Sequence, residues 1–143
     1  MSSPGTFFKL SCPVPPTTTT TTSTTTTTTT TAPARIVRLY GKRVSTSVVS
    51  WVWYSINGGA YTRVAGGANS TAGGLVDTLS VTGTINVMIG SATDSGFSST
   101  YRFSAQQATN TYNTTTLVCA SPFTFSPTSD IDISLYTDNS TGC

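Results

Sequence analysis

The chain has 143 residues and a mass of 14.9 kDa, enough for one ordinary domain and too little for two. Charged residues make up 8% of it, roughly a third of the ~25% usual in a soluble domain, while aromatics reach 10%, which argues against a disordered polyelectrolyte. The net charge of +2 offers little repulsion between copies, and the abundance of Thr and Ser suits hydroxyl-covered β-sheet surfaces.

Three segments are visible in chain order. Residues 1–16 form a short head ending in Cys12-Pro13-Val14-Pro15-Pro16. Its first ten residues, Met1 to Leu10, lack the basic and apolar regions of a signal peptide, so a chain starting at Met1 is expected to stay in the cytoplasm where it is made. Residues 17–31 are threonine except for Ser23, and Ala32-Pro33 closes an arm spanning residues 17–33. Threonine is a poor helix former because its branched Cβ restricts χ1, and the flanking prolines favour extended backbone. With nothing large to bury, the tract cannot make its own core. Fully extended, it reaches about 50 Å at ~3.3 Å per residue. It reads either as a passive spacer or as a strand that pairs with a neighbour's sheet edge.

From residue 34 to 143 the pattern is short alternating runs with frequent turn signals. Val37 and Leu39 alternate with Arg38 and Tyr40. Val49, Trp51 and Trp53 share one face of a run whose other face holds Val48, Val52, Tyr54 and Ile56, and the first face is expected to be the buried one. Asn57-Gly58-Gly59 supplies a tight turn, with Ala60 to Val64 as the returning strand. Leu75, Leu79 and Val81 lead through Thr82-Gly83-Thr84 into Ile85, Val87 and Ile89. Phe97, Tyr101 and Phe103 follow, then Leu117 with Cys119, Phe123 with Phe125, and finally Ile131, Ile133 and Leu135. Seven or eight strands without an amphipathic helix predict an all-β fold, an immunoglobulin-like antiparallel sandwich preceded by the extended polythreonine arm.

The chemical inventory is sparse. No histidine or glutamate is present, which removes the commonest general base and the best zinc ligand, so neither catalysis nor a cofactor is expected. Asp130 and Asp132 would share one strand face. They could bind Ca²⁺ or act as a carboxylate pair, but such a pattern is more often a solvated face or a guard against edge pairing. Cys12, Cys119 and Cys143 show no metal-ligand spacing. Their plain reading is two buried thiols and a terminal one; the alternative is a Cys12–Cys119 or intermolecular bond formed after release. Three Asn-x-Thr triplets, at Asn69, Asn113 and Asn139, arise readily by chance in so hydroxyl-rich a chain.

Charge has a direction along the chain. Six basic residues and no acid precede Asp77, whereas five aspartates and only Arg102 lie from there to the end. Arg35, Arg38, Lys42 and Arg43 gather around Tyr40 just after the arm, and with Thr17, Thr24 and Thr31 they are the candidate interaction residues. Four cations on one strand are weak support for nucleic acid; a solvated face or an acidic partner is favoured. The opposite charge poles also allow head-to-tail association of copies.

Cys12-Pro13-Val14-Pro15-Pro16, the threonine tract, Ala32-Pro33 and the run Trp51-Val52-Trp53-Tyr54-Ser55-Ile56-Asn57-Gly58-Gly59 together resemble small accessory virion proteins of tailed bacteriophages infecting Bacteroidetes, including crAss-like phages. In those proteins polythreonine linkers join immunoglobulin-like modules. The resemblance implies a capsid-decorating, fibre or tail-associated component. Its partners would be other virion proteins and copies of itself, not a membrane, and its displayed face is left open to a host-surface glycan. The competing expectation is a secreted or cell-surface binding module, or a filament subunit, with a glycosylated threonine stalk.

Overall fold

The computed structural model describes residues 5, 12–46, 49–91, 101–119, 121–140 and 143. The chain separates into two units, Met1–Thr30 and Thr31–Cys143. In the first, the described residues are exposed and carry no regular secondary structure. The second is an all-β sandwich, with nine strands among the described residues.

The strands are β1 (Arg35–Arg43), β2 (Ser50–Ile56), β3 (Thr62–Val64), β4 (Gly74–Val81), β5 (Ile85–Ser91), β6 (Arg102–Gln107), β7 (Val118–Cys119), β8 (Phe123–Phe125) and β9 (Ile131–Thr137). A short 3-10 turn, Gly66–Asn69, lies between β3 and β4. One sheet has the order β4-β1-β9-β6-β7 and the other β3-β2-β5-β8. Among the described residues every pairing is antiparallel except one: β1 and β9 run parallel, from Val37 opposite Ile131 to Arg43 opposite Thr137. This departs from the antiparallel expectation. Two strands almost a hundred residues apart need no tight hairpin between them, so nothing forces the antiparallel sense.

The core comes from the inner faces of both sheets. Val37, Leu39, Phe103, Ile133 and Leu135 on one side, and Val52, Ile85, Val87 and Ile89 on the other, are fully buried. Phe103 meets Phe123 edge-on across the gap, with ring centroids 5.7 Å apart. That contact fixes which face of the four-stranded sheet points inward. Phe123 lies opposite Val87, and Val87 opposite Tyr54, and directly opposed residues share a face. Val52, Tyr54 and Ile56 therefore face the core. Val49, Trp51 and Trp53, expected there, have the other parity; Trp53 is nevertheless buried with the core as expected, Trp51 is partly buried against it, and Val49 is about half exposed at 47%. The run is apolar on both faces, so its alternation alone could not choose between them; register against Ile85, Val87 and Ile89 does. Val48 and Phe97, also assigned to strand faces, lie outside the described residues.

The turns divide into two kinds. Asn57 and Gly58 both have positive φ, 51° and 71°, and Gly59 N–H donates to Ile56 O at 3.0 Å, closing the expected β2–β3 turn. The segment 82–84 makes no hairpin: it carries the chain from β4 in one sheet to β5 in the other. Asn57 clamps that corner, donating from Nδ2 to Thr82 O (2.6 Å) and accepting at Oδ1 from Thr84 N–H (2.8 Å). Gly83 sits between them at φ 99°, where a Cβ would collide with the Asn57 amide.

The cysteines differ from expectation. Cys119 and Cys143 form a disulfide with a Cα–Cα distance of 5.3 Å, and Cys12 is a free, exposed thiol. Neither Cys119 nor Cys143 is buried, so the reading of two buried thiols fails, as does the Cys12–Cys119 alternative. The bond joins β7 to the C-terminal residue.

Candidate interaction surfaces

Strand alternation splits the basic cluster of β1 into two sets. Arg38, Tyr40 and Lys42 share the outer face of the five-stranded sheet, whereas Arg35 and Arg43 have the parity of the core residues Val37 and Leu39. Arg43 is only 8% exposed, and its guanidinium reaches Asn69 Oδ1 at 3.4 Å. The same Asn69 oxygen accepts Ser50 N–H at 2.8 Å. Arg43 is thus an inward-facing residue tied to the 3-10 turn, not part of a presented basic patch. Arg35, at the other end of the strand, lines a shallow groove with Pro33, Thr84 and Pro127.

The outer residues meet acids and rings of their own chain. Arg38 Nη1 lies 3.1 Å from Asp132 Oδ1, and Asp132 Oδ2 accepts the Thr109 hydroxyl at 2.7 Å. Asp130 Oδ1 accepts Ile36 N–H at 2.9 Å. Arg38 of β1 thus has an acidic partner in Asp132 of β9 in the same chain. This also corrects the expected guarding role of Asp130 and Asp132, because β9 is an interior strand between β1 and β6. The opposed charges of the two halves of the sequence become neighbours in one sheet. Lys42 Nζ sits 5.6 Å from the centre of the Tyr112 ring.

Tyr112 belongs to a segment that lies over this outer face. Gln106 Nε2 donates to Thr111 O (2.8 Å), Ser104 Oγ to Asn113 O (2.6 Å) and Ser134 Oγ to Ala108 O (2.8 Å). Ser104 and Ser134 are buried beneath it. Burial pushes the Tyr112 hydroxyl's pKa above its ordinary value of 10.0. A hydrogen bond with the Gly74 backbone pulls it partly back, and Tyr40 nearby adds to the rise.

The four-stranded sheet presents a different outer face, which sequence reasoning missed. Trp51, Trp53 and Arg63 share it, with Arg63 directly opposite Trp53 in the ladder. The Arg63 guanidinium lies 4.3 Å from the Trp51 ring centre and 5.4 Å from that of Trp53. Met88, opposite Trp53, is fully buried although its parity is that of the outer face. Trp51 Nε1 is buried without a hydrogen-bond partner among the described residues. The signal was available: two tryptophans at i and i+2, followed by an Asn-Gly turn, place Arg63 across from them once the hairpin register is counted.

Thr17, Thr24 and Thr31 are exposed and in no strand. Among the described residues there is no group of three or more His, Cys, Asp or Glu side chains able to hold a metal ion. No helix among them is long and apolar enough to cross a membrane. Comparisons with protein-family models, with curated proteins and with solved structures find no match.

Proposed function

We propose that the protein is a non-enzymatic structural component of a virion, an accessory capsid, fibre or tail-associated subunit assembled in the host cytoplasm. In this reading the threonine arm anchors the subunit among its neighbours and the β-domain is displayed. The observation that carries it is the tract itself: residues 17–31 are exposed throughout and form no strand, although threonine is among the best strand formers. Ordering such a tract costs roughly 1–2 kcal/mol of backbone entropy per residue, and the tract has no large side chains to recover it within its own chain. Pairing with another subunit's main chain, or lying in a groove between subunits, recovers it. We also infer that the sandwich is of immunoglobulin-like type. Two sheets built from some 110 residues, largely antiparallel, support that reading.

The test is incorporation. Deleting residues 17–31 should leave the β-domain folded and abolish or misplace its incorporation into particles; normal occupancy and position of the deleted protein would refute anchoring. The Cys119–Cys143 disulfide favours an oxidising final location, which suits a mature particle outside the cell and equally a secreted or cell-surface module. Mass spectrometry separates these: an unmodified chain in purified particles supports the virion component, and a glycosylated chain in a cell-envelope fraction supports the surface module.

A further inference from the structure

We propose that the threonine tract of one copy adds as an extra strand to the free edge of β4 in a second copy, and that the uniformity of the tract lets it do so in many registers. The proposal rests on the anchoring role of the arm and names the site and partner that role requires.

Among the described residues the domain has four edge strands, and three of them are too short to template anything. β3 and β8 have three residues each and β7 has two. β4 has eight, pairs with β1 alone among the described residues, and contains neither proline nor lysine. A bulge interrupts its pairing at Val76, where Leu39 opposes Asp77 but Tyr40 opposes Leu75. The regular edge is therefore Asp77–Val81.

Two hydrogen bonds show which groups of that edge point outward. Ile36 N–H donates to Asp130, on the β9 side of β1, so Ile36 does not turn its main chain toward β4. Its partner Ser80, and Thr78 opposite Arg38, then turn theirs away from β1. Independently, Thr78 N–H is capped by the Asp77 carboxylate at 2.8 Å. An incoming strand has Thr78 and Ser80 as its main-chain partners and displaces one carboxylate oxygen.

The side chains beside that edge suit threonine. Thr78 and Ser80 are exposed hydroxyls on the outer face, and Leu79 is half-buried on the inner one. Each incoming Thr brings a hydroxyl for the first kind of neighbour and a methyl for the second. Strand pairing is usually fixed in register because a slip of one residue inverts the faces. A homopolymer has no wrong face, so the tract can shift along the edge without penalty and accommodate differences in subunit spacing. The occupant is a second copy's tract because this chain's own tract, separated from Arg35 by only three residues, is exposed and in no strand.

Register freedom gives the test its signature. Thr24→Pro leaves two uninterrupted runs of seven residues, and about half of the five-residue windows survive. The triple change Thr20→Pro, Thr24→Pro and Thr28→Pro leaves runs of three, shorter than the edge. Sedimentation of the full-length protein across a concentration series should show self-association in the wild type, a change of about threefold or less for Thr24→Pro, and a loss of about tenfold or more for the triple variant. Ser80→Pro removes an outward N–H and leaves the β1 ladder intact, and should match the triple variant. Thr78→Lys, at an exposed position, provides a second edge variant should Ser80→Pro fail to fold. A monomeric wild type, or a triple variant that associates normally, overturns the β4 site. So does incorporation of the Thr78→Lys variant into particles at wild-type occupancy when deletion of residues 17–31 abolishes it, and that result leaves the anchoring role standing.

Discussion

The outer faces of the two sheets solve the same problem in opposite ways. On the five-stranded sheet, polar and charged side chains are matched within the chain: Arg38 with Asp132, Arg102 with Asp138, Ser104 and Ser134 under the 108–113 segment. On the four-stranded sheet, Trp53 and Met88 are buried opposite one another, Trp51 packs against the same cluster, and the Arg63 guanidinium lies across both indoles. The first face is held by many directional contacts of small individual value; the second concentrates apolar area in a few large side chains. Single substitutions should therefore do more damage on the second face than on the first, except where a covalent bond intervenes.

Trp53→Ala should have the largest effect. The side chain is 9% exposed, and its truncation should cost about 3–5 kcal/mol, read as a lowered midpoint in urea unfolding. Cys143→Ser should come next. The bond spans 24 residues, and its loss releases a loop whose closure entropy corresponds to about 3 kcal/mol, so reductant should destabilise the wild type and leave the variant unaffected. Asp132→Asn should cost about 1 kcal/mol, because Arg38 is half-exposed and the Thr109 bond can survive on an amide oxygen. Arg63→Ala should cost about 0.5–1 kcal/mol and shift tryptophan emission to longer wavelength as water reaches the indoles. A larger loss at Asp132 than at Trp53 would invert the comparison.

Alkaline pH tests both halves of the sandwich together. Burial raises the hydroxyl pKa of Tyr54, where Asp77 adds to the rise, and of Tyr61 on the four-stranded side. It does the same for Tyr112 and, with Asp138, for Tyr136 on the other. A group whose pKa is raised in the folded state binds its proton more tightly there. Its stabilisation is complete below the ordinary value of 10.0 and is lost as pH climbs through the folded-state value. Unfolding free energy should accordingly be flat in this respect below pH 10 and fall above it, in step with tyrosinate absorbance. Tyr54→Phe should flatten part of that decline.

Local sequence determined most of the strands and little of their arrangement. The alternation of Val37 and Leu39, of Ile85, Val87 and Ile89, and of Ile131, Ile133 and Leu135 placed three core strands correctly, because a half-buried strand must repeat every two residues. The Asn57-Gly58 turn was legible because few residues tolerate positive φ. The inward face of β2 was not, since Val52 and Trp53 are both apolar and only pairing with β5 decides between them. Nor was the role of the charges: the composition gave a basic half and an acidic half, but the parallel β1–β9 pair made them partners rather than poles. Partnership between residues 94 positions apart, like the bond between Cys119 and Cys143, depends on which elements become neighbours. That is settled by the packing of two sheets as a whole and leaves no periodic trace in the chain. The threonine tract is the opposite case: with nothing large to pack, its lack of a core of its own is legible in its composition alone.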